Sequence, residues 1–119
     1  MAAPVLVVDD DDGFRALAVG LLRAAGHDRV EEAGTVAEAL TKLTLTHFAA
    51  ALVDVGLPDG DGLVLAEELA RLPEPPVVVL ISADADAADD AAVRRSGAAV
   101  FLLKEELADA RLRELLGTA

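Results

Sequence analysis

Five short apolar runs, each followed by a stretch with helical spacing, constrain this chain more than any other feature. They are Val5–Val8, Val30–Ala33, Phe48–Val53, Val77–Ile81 and Ala98–Leu103. All are strand-sized, and all but the weak second run are apolar without interruption. A strand with no polar alternation is covered on both faces. Regular alternation with helices then implies a parallel sheet carrying helices on both sides, an α/β fold.

The intervening segments carry helix signals. Phe14, Leu17, Ala18, Leu21 and Leu22 recur at helical spacing within 13–25, and Gly26 stands where a helix ends. Thr35 is placed to cap the second helix, with Glu38 as its capping-box partner. Leu63–Leu72 reads as the third helix. Residues 84–96 read as the fourth, acidic at the start and basic near the end at Arg94 and Arg95, as the helix dipole favours, with Gly97 closing it. Residues 105–116 read as the fifth. No linker, repeat or low-complexity tract interrupts this order, so residues 1–119 are read as one domain with no output domain.

Composition removes several classes of function. A net charge of −12 repels phosphate backbones and anionic headgroups, which argues against direct nucleic-acid or membrane binding. No apolar run approaches the roughly 18–20 residues of a membrane span. There is no cysteine, so no thiolate metal site exists, and the cytoplasm is the expected compartment. His27 and His47 lack metal-ligand spacing and are expected at the surface.

The chemistry gathers where such sheets bind ligands, beyond the carboxyl ends of the strands. Asp9 and Asp10 follow the first strand, Asp54 the third, Ser82 the fourth and Lys104 the fifth. Carboxylates about 4 Å apart repel by roughly 4 kcal/mol at an effective dielectric near 20, so three in one cleft call for a cation. An all-oxygen acidic set without histidine or cysteine suits Mg²⁺. One carboxylate then remains as a nucleophile toward phosphorus, with Lys104 and Ser82 as donors to the transferred group. Asp11 and Asp12 read as helix caps, and Asp59, Asp61 and the acids of 84–90 as solvated.

These residues lie in strings that resemble bacterial response-regulator receiver domains. Val-Leu-Val-Val-Asp-Asp at 5–10 is similar to their acid-pair strand, and Leu-Val-Asp-Val-Gly-Leu-Pro-Asp-Gly-Asp-Gly at 52–62 to their phosphoacceptor segment. Val-Leu-Ile-Ser-Ala at 79–83 resembles the switch hydroxyl, and Phe-Leu-Leu-Lys at 101–104 the aromatic three residues before the lysine. The resemblance runs from about residue 4 to 116. It implies a flavodoxin-like (βα)5 fold with a five-stranded sheet ordered 2-1-3-4-5. It also implies phosphorylation of Asp54, and Mg²⁺ held by Asp9, Asp10, Asp54 and the backbone carbonyl of Gly56. Lys104 would pair with the phosphoryl group, and Ser82 and Phe101 would form the switch.

The implied donor is a sensor histidine kinase, and the implied output is a domain or partner on the face of the fourth helix, fifth strand and fifth helix, a surface compatible with a homodimer. On this reading the chain is no enzyme beyond catalysing its own phosphorylation and dephosphorylation. Glu105 departs from the proline common after the lysine and, with Ala24-Ala-Gly26 and Gly97-Ala-Ala, resembles the NarL/LuxR-type branch. Gly56 and Asp84 fall where the family tunes the life of the phosphoryl group. Two alternatives are weighed beside this one. The first is a receiver-like interaction module that is never phosphorylated. The second is a haloacid-dehalogenase-type phosphatase, whose opening 7–13 partly mimics, but Phe14 stands where its threonine belongs, and its last acidic pair comes after the lysine whereas here Asp54 precedes Lys104.

Overall fold

The computed structural model describes residues 3–108 and 115–116. Its strands, numbering those of the main sheet, are β1 (Val5–Val8), β2 (Val30–Ala33), β3 (Ala50–Asp54), β4 (Val77–Ser82) and β5 (Val100–Leu103). All pair in parallel, in the order β2-β1-β3-β4-β5. This is the doubly wound order expected from the sequence. Helices α1 (Asp12–Ala24), α2 (Val36–Leu45), α3 (Gly62–Ala70) and α4 (Asp90–Ser96) fill the connections. Among the described residues no helix is long and apolar enough to cross a membrane.

The uninterrupted apolar runs divide by parity. Leu6, Val8, Ala51, Val53, Val78 and Leu80 build one core with Ala39 of α2, Leu65 and Leu69 of α3 and Val93 of α4. Val5, Val7, Ala50, Leu52, Val79 and Ile81 build the other with Phe14, Ala18 and Leu22 of α1. Successive side chains on a strand point to opposite faces, so each run supplies both cores. Each fully buried Leu or Val contributes roughly 1.5–3 kcal/mol of apolar transfer free energy.

The same parity places the polar residues beyond the strands. Residues 5, 7 and 9, residues 50, 52 and 54, and residues 100, 102 and 104 all continue toward the α1 face. Ser82 and Phe101 continue toward the opposite face, where Phe101 packs half-buried against the core of α2, α3 and α4.

Three local expectations change. The fourth helix begins at Asp90, because the aspartates before it bond to nearby backbone in non-helical turns. Asp84 accepts from the Asp86 N–H at 2.8 Å, and Asp89 caps the helix by accepting from Ala92 N–H at 2.7 Å. After Lys104 the chain makes a short 3-10 turn, Lys104–Glu106, where a fifth helix was expected to start. Half of that expected helix, residues 109–114, lies outside the described residues.

His27, expected at the surface, is buried, with 5% of it exposed. The cause is a Schellman turn closing α1. Gly26 takes φ +104°, its N–H bonds Arg23 O at 3.0 Å, and the His27 N–H bonds Leu22 O at 3.0 Å. That geometry folds residue 27 back over the last turn of the helix. His47 is exposed as expected, 3.4 Å from Glu74.

Asp59 is exposed, as expected of a solvated loop acid, and it also ties the loop after β3 to a distant helix. Its carboxylate accepts from Val36 N–H at 2.7 Å and Ala37 N–H at 3.1 Å, while Thr35 accepts from Glu38 N–H at 3.0 Å. Three of the unpaired amides that open α2 are thereby satisfied. These bonds hold the Asp59 carboxyl below its ordinary pKa. A depressed carboxylate contributes stability that is present above its unfolded pKa and lost as pH falls through the folded one. Asp59→Ala is therefore expected to lower the melting temperature at pH 7. Thermal scans should show that deficit closing as pH falls below about 3.9.

Candidate functional site

Asp9, Asp54 and Lys104 lie at the carboxyl ends of β1, β3 and β5, on one edge of the sheet, and their side chains meet. Lys104 Nζ lies 2.7 Å from Asp9 Oδ2 and 3.4 Å from Asp54 Oδ2. Asp9 is fully buried and Asp54 nearly so, with 6% of it exposed, whereas Asp10 stands exposed beside them. Each of the three acids offers an oxygen within 4.8 Å of the others.

Neighbouring backbone holds the acids in place. Asp9 Oδ1 accepts from Asp11 N–H at 2.9 Å, and Asp54 Oδ1 accepts from Gly56 N–H at 3.2 Å. Gly56 pairs with Asp61, and Leu57 with Gly60, in a two-residue antiparallel ladder that folds the loop back on itself. Gly62 leads from that ladder into α3, and nothing larger fits there. A Cβ on it would stand 2.1 Å from the backbone oxygen of Asp54. The glycine-rich loop thus lets α3 start directly against the strand end that carries Asp54.

Burial raises the Asp54 pKa, and the charge of Asp9 adds to it; Lys104 and the Gly56 N–H oppose the rise. For Lys104, burial pulls the ammonium down, but hydrogen bonding and charge from Asp9, with Asp54 behind, outweigh it. The net pKa is raised, so the lysine is charged at neutral pH. Asp9 Oδ2 is buried with no directed hydrogen bond, so its compensation is the 2.7 Å ion pair with Lys104. A hard divalent cation finds in these oxygens the donor set it prefers.

Ser82, at the end of β4, accepts from Asp84 N–H at 3.0 Å, which fixes the turn leaving the strand. The loop after Lys104 is held without proline. Glu106 Oε1 accepts from Leu103 N–H at 2.8 Å, the Leu107 N–H bonds Lys104 O at 3.2 Å, and Leu107 is fully buried. Glu106→Ala removes one such bond, so a loss of about 1 kcal/mol is expected in denaturant unfolding. Phosphoryl uptake should slow with it if this turn is what aims Lys104.

All seven residues singled out in the sequence lie at this edge or just beside it, with Phe101 one strand position before Leu102 on the opposite face. The sequence reading missed two others. Arg15 donates from Nη1 to Asp9 O at 2.6 Å and from Nε to Glu32 at 3.2 Å, and it also pairs with Asp12. Its signal was a cation near the start of a helix, against the dipole. Phe14 places its ring 4.8 Å from Lys104 Nζ, centroid to ammonium. Asp11 is spent as the N-cap of α1, accepting from Phe14 N–H at 3.0 Å.

Residues 5–116 match the response regulator receiver domain family. The chain belongs to that family. Receiver domains are the phosphoacceptor switches of two-component signalling. They receive their phosphoryl group from sensor histidine kinases and have weak autophosphatase activity. This receiver is 37% identical over 103 residues to the DNA-binding transcriptional activator DevR/DosR of Mycobacterium tuberculosis, covering 85% of this chain and 47% of that protein. It is 34% identical over 100 residues to the KDP operon transcriptional regulatory protein KdpE of Escherichia coli, covering 84% and 44%. The chain thus spans under half the length of these two relatives. Among solved structures, the response regulator TrrA of Thermotoga maritima, in complex with Mg²⁺-BeF, superposes with a TM-score of 0.82 at 25% identity, covering 98% of this chain and all of that one.

Proposed function

We propose that this receiver takes a phosphoryl group on the carboxylate of Asp54, in a Mg²⁺-dependent reaction with a phosphohistidine of a sensor kinase. The observation that carries this reading is the meeting of Asp9, Asp54 and Lys104, residues far apart in sequence, within one ion-paired cluster. An Asp54 carboxylate oxygen attacks phosphorus, a P–O bond forms as the P–N bond breaks, and the imidazole nitrogen leaves with the electron pair. Asp9, Asp10, Asp54 and the Gly56 carbonyl are the groups that would hold Mg²⁺, which when bound neutralises charge on the phosphoryl oxygens. Lys104 supplies the second positive charge, and the Gly56 N–H holds the carboxylate in its attacking orientation. In dephosphorylation water attacks phosphorus, the P–O bond to Asp54 breaks, inorganic phosphate departs and the carboxylate is restored, so the chain acts on its own phosphoryl group.

Ser82 and Phe101 carry the signal. The Ser82 hydroxyl leaves its turn for the new anion, and Phe101, half-buried on the α4 side, fills the space released. Because both residues share the parity of that face, a charge change on the α1 side is passed through the sheet edge to the opposite surface. An output domain or partner protein would read it there. The single-domain reading of 1–119 and a cytoplasmic setting belong to the same proposal.

Incubation with acetyl phosphate and Mg²⁺, followed by intact mass, tests it. One added phosphoryl group per chain is expected, mapping to Asp54. No addition would leave an idle interaction module.

A further inference from the structure

We infer that Phe14 is a positioning residue, whose ring keeps the Lys104 ammonium at the phosphoryl site when a divalent cation takes over the carboxylates that otherwise hold it. This rests on the reading that Asp9, Asp10 and Asp54 bind a metal ion and that Asp54 accepts the phosphoryl group. Lys104 Nζ is 2.7 Å from Asp9 Oδ2, 3.4 Å from Asp54 Oδ2 and 4.8 Å from the centroid of the Phe14 ring. The two carboxylates are also two of the three members of the candidate metal cluster. A cation bound there competes with the ammonium for the same oxygens and repels it. The lysine, on a flexible four-carbon stem, then has every reason to leave for solvent.

Phe14 is outside that competition. An aromatic ring attracts an ammonium through its quadrupole but is not a ligand for a hard, oxygen-seeking ion. Nor can the ring follow the lysine outward. It is 9% exposed and packs in the α1-face core, and its own N–H is fastened by the Asp11 cap. Packing alone would accept Leu at this position. The Lys104 ammonium, 4.8 Å from the ring centroid, makes use of an aromatic face.

The full chain with Phe14→Leu and Phe14→Tyr, each also in a Lys104→Ala background, tests this. With acetyl phosphate at saturating Mg²⁺, Phe14→Leu is expected to slow phosphorylation about two- to fivefold, in keeping with the modest strength of such contacts. Phe14→Tyr should recover most of that rate. In the Lys104→Ala background Phe14→Leu should have no further effect, since the pair acts as a unit. Calorimetric Mg²⁺ affinity should stay within about twofold of the parent, because no ligand is touched.

Proton NMR gives a readout independent of activity. The Lys104 ε-methylene protons should be shifted upfield by the ring, remain so when Mg²⁺ saturates the site, and lose the shift in Phe14→Leu. An upfield shift that vanishes on adding Mg²⁺ would overturn the inference. So would a rate loss of the same size with and without Lys104. Should Phe14→Leu fail to fold, the titration of the parent chain still decides. If the upfield shift persists with Mg²⁺ but the parent takes no phosphoryl group, the phosphoacceptor reading fails and the tether stands.

Discussion

Replacing Asp54 by Asn should abolish phosphoryl incorporation and, in the absence of Mg²⁺, raise the melting temperature. The first effect is all-or-none, since an amide oxygen does not displace the leaving nitrogen from phosphorus, and intact mass should show no adduct. The second follows from electrostatics. Burial and the Asp9 charge both disfavour the ionised Asp54, and their effect exceeds the help from Lys104 and Gly56, which is why its pKa is raised. Asn removes the charge while its side-chain oxygen can still accept from Gly56 N–H.

The sign of the pH dependence is fixed by the same shift. For a carboxyl with a raised folded pKa, the penalty of ionisation is fully present above that pKa. It is relieved as pH falls through that pKa and is gone below the unfolded value of about 3.9. The advantage of Asp54→Asn over the parent should therefore be largest near neutral pH and shrink on acidification. Thermal scans of both proteins across that range, without metal, would check it; an Asn variant less stable than the parent at pH 7 would contradict it.

The second large effect concerns the metal. A ligand that binds only the folded state stabilises it by about 2.7 kcal/mol at 100 times its dissociation constant. For a chain of this size that corresponds to roughly 10 °C in melting temperature. Mg²⁺ should produce a shift of this order, read by calorimetry or circular dichroism, since the chain has no Trp or Tyr. Asp10→Asn should remove most of it. Asp10 is exposed and makes a clean test, because its loss disturbs no core packing. A melting temperature indifferent to saturating Mg²⁺ would count directly against the acid cluster as a metal site.

The fold was legible because the strands are continuous apolar runs, whose burial on two faces leaves few arrangements open. The site was legible for the same reason, since each polar residue stands immediately beyond a run and the sheet aligns the ends. Even the division of labour follows from counting residues by twos, which sends Asp9, Asp54 and Lys104 to one face and Ser82 and Phe101 to the other. What escaped depends on contacts between elements distant in sequence. Asp59 caps a helix that begins 23 residues before it, and no local pattern records that pairing. His27 is buried by the handedness of the turn at Gly26, which spacing alone does not announce. The late start of α4 reflects competition of aspartate side chains for the backbone, a local effect that the acidic run masked as a favourable helix opening. Phe14 read as ordinary core because its helical spacing accounts for it completely. Its second contact becomes visible only with Lys104 in place.

The most direct test of the account is a crystal structure of this chain with Mg²⁺ and beryllofluoride, a phosphoryl mimic. The mimic is expected on the Asp54 carboxylate, the metal among Asp9, Asp10 and Asp54, and the Lys104 ammonium on a fluoride. Ser82 should have turned from the Asp84 N–H toward the mimic, with Phe101 more deeply buried. A mimic bound to any other carboxylate, or a Lys104 side chain pointing away from it into solvent, would contradict the account.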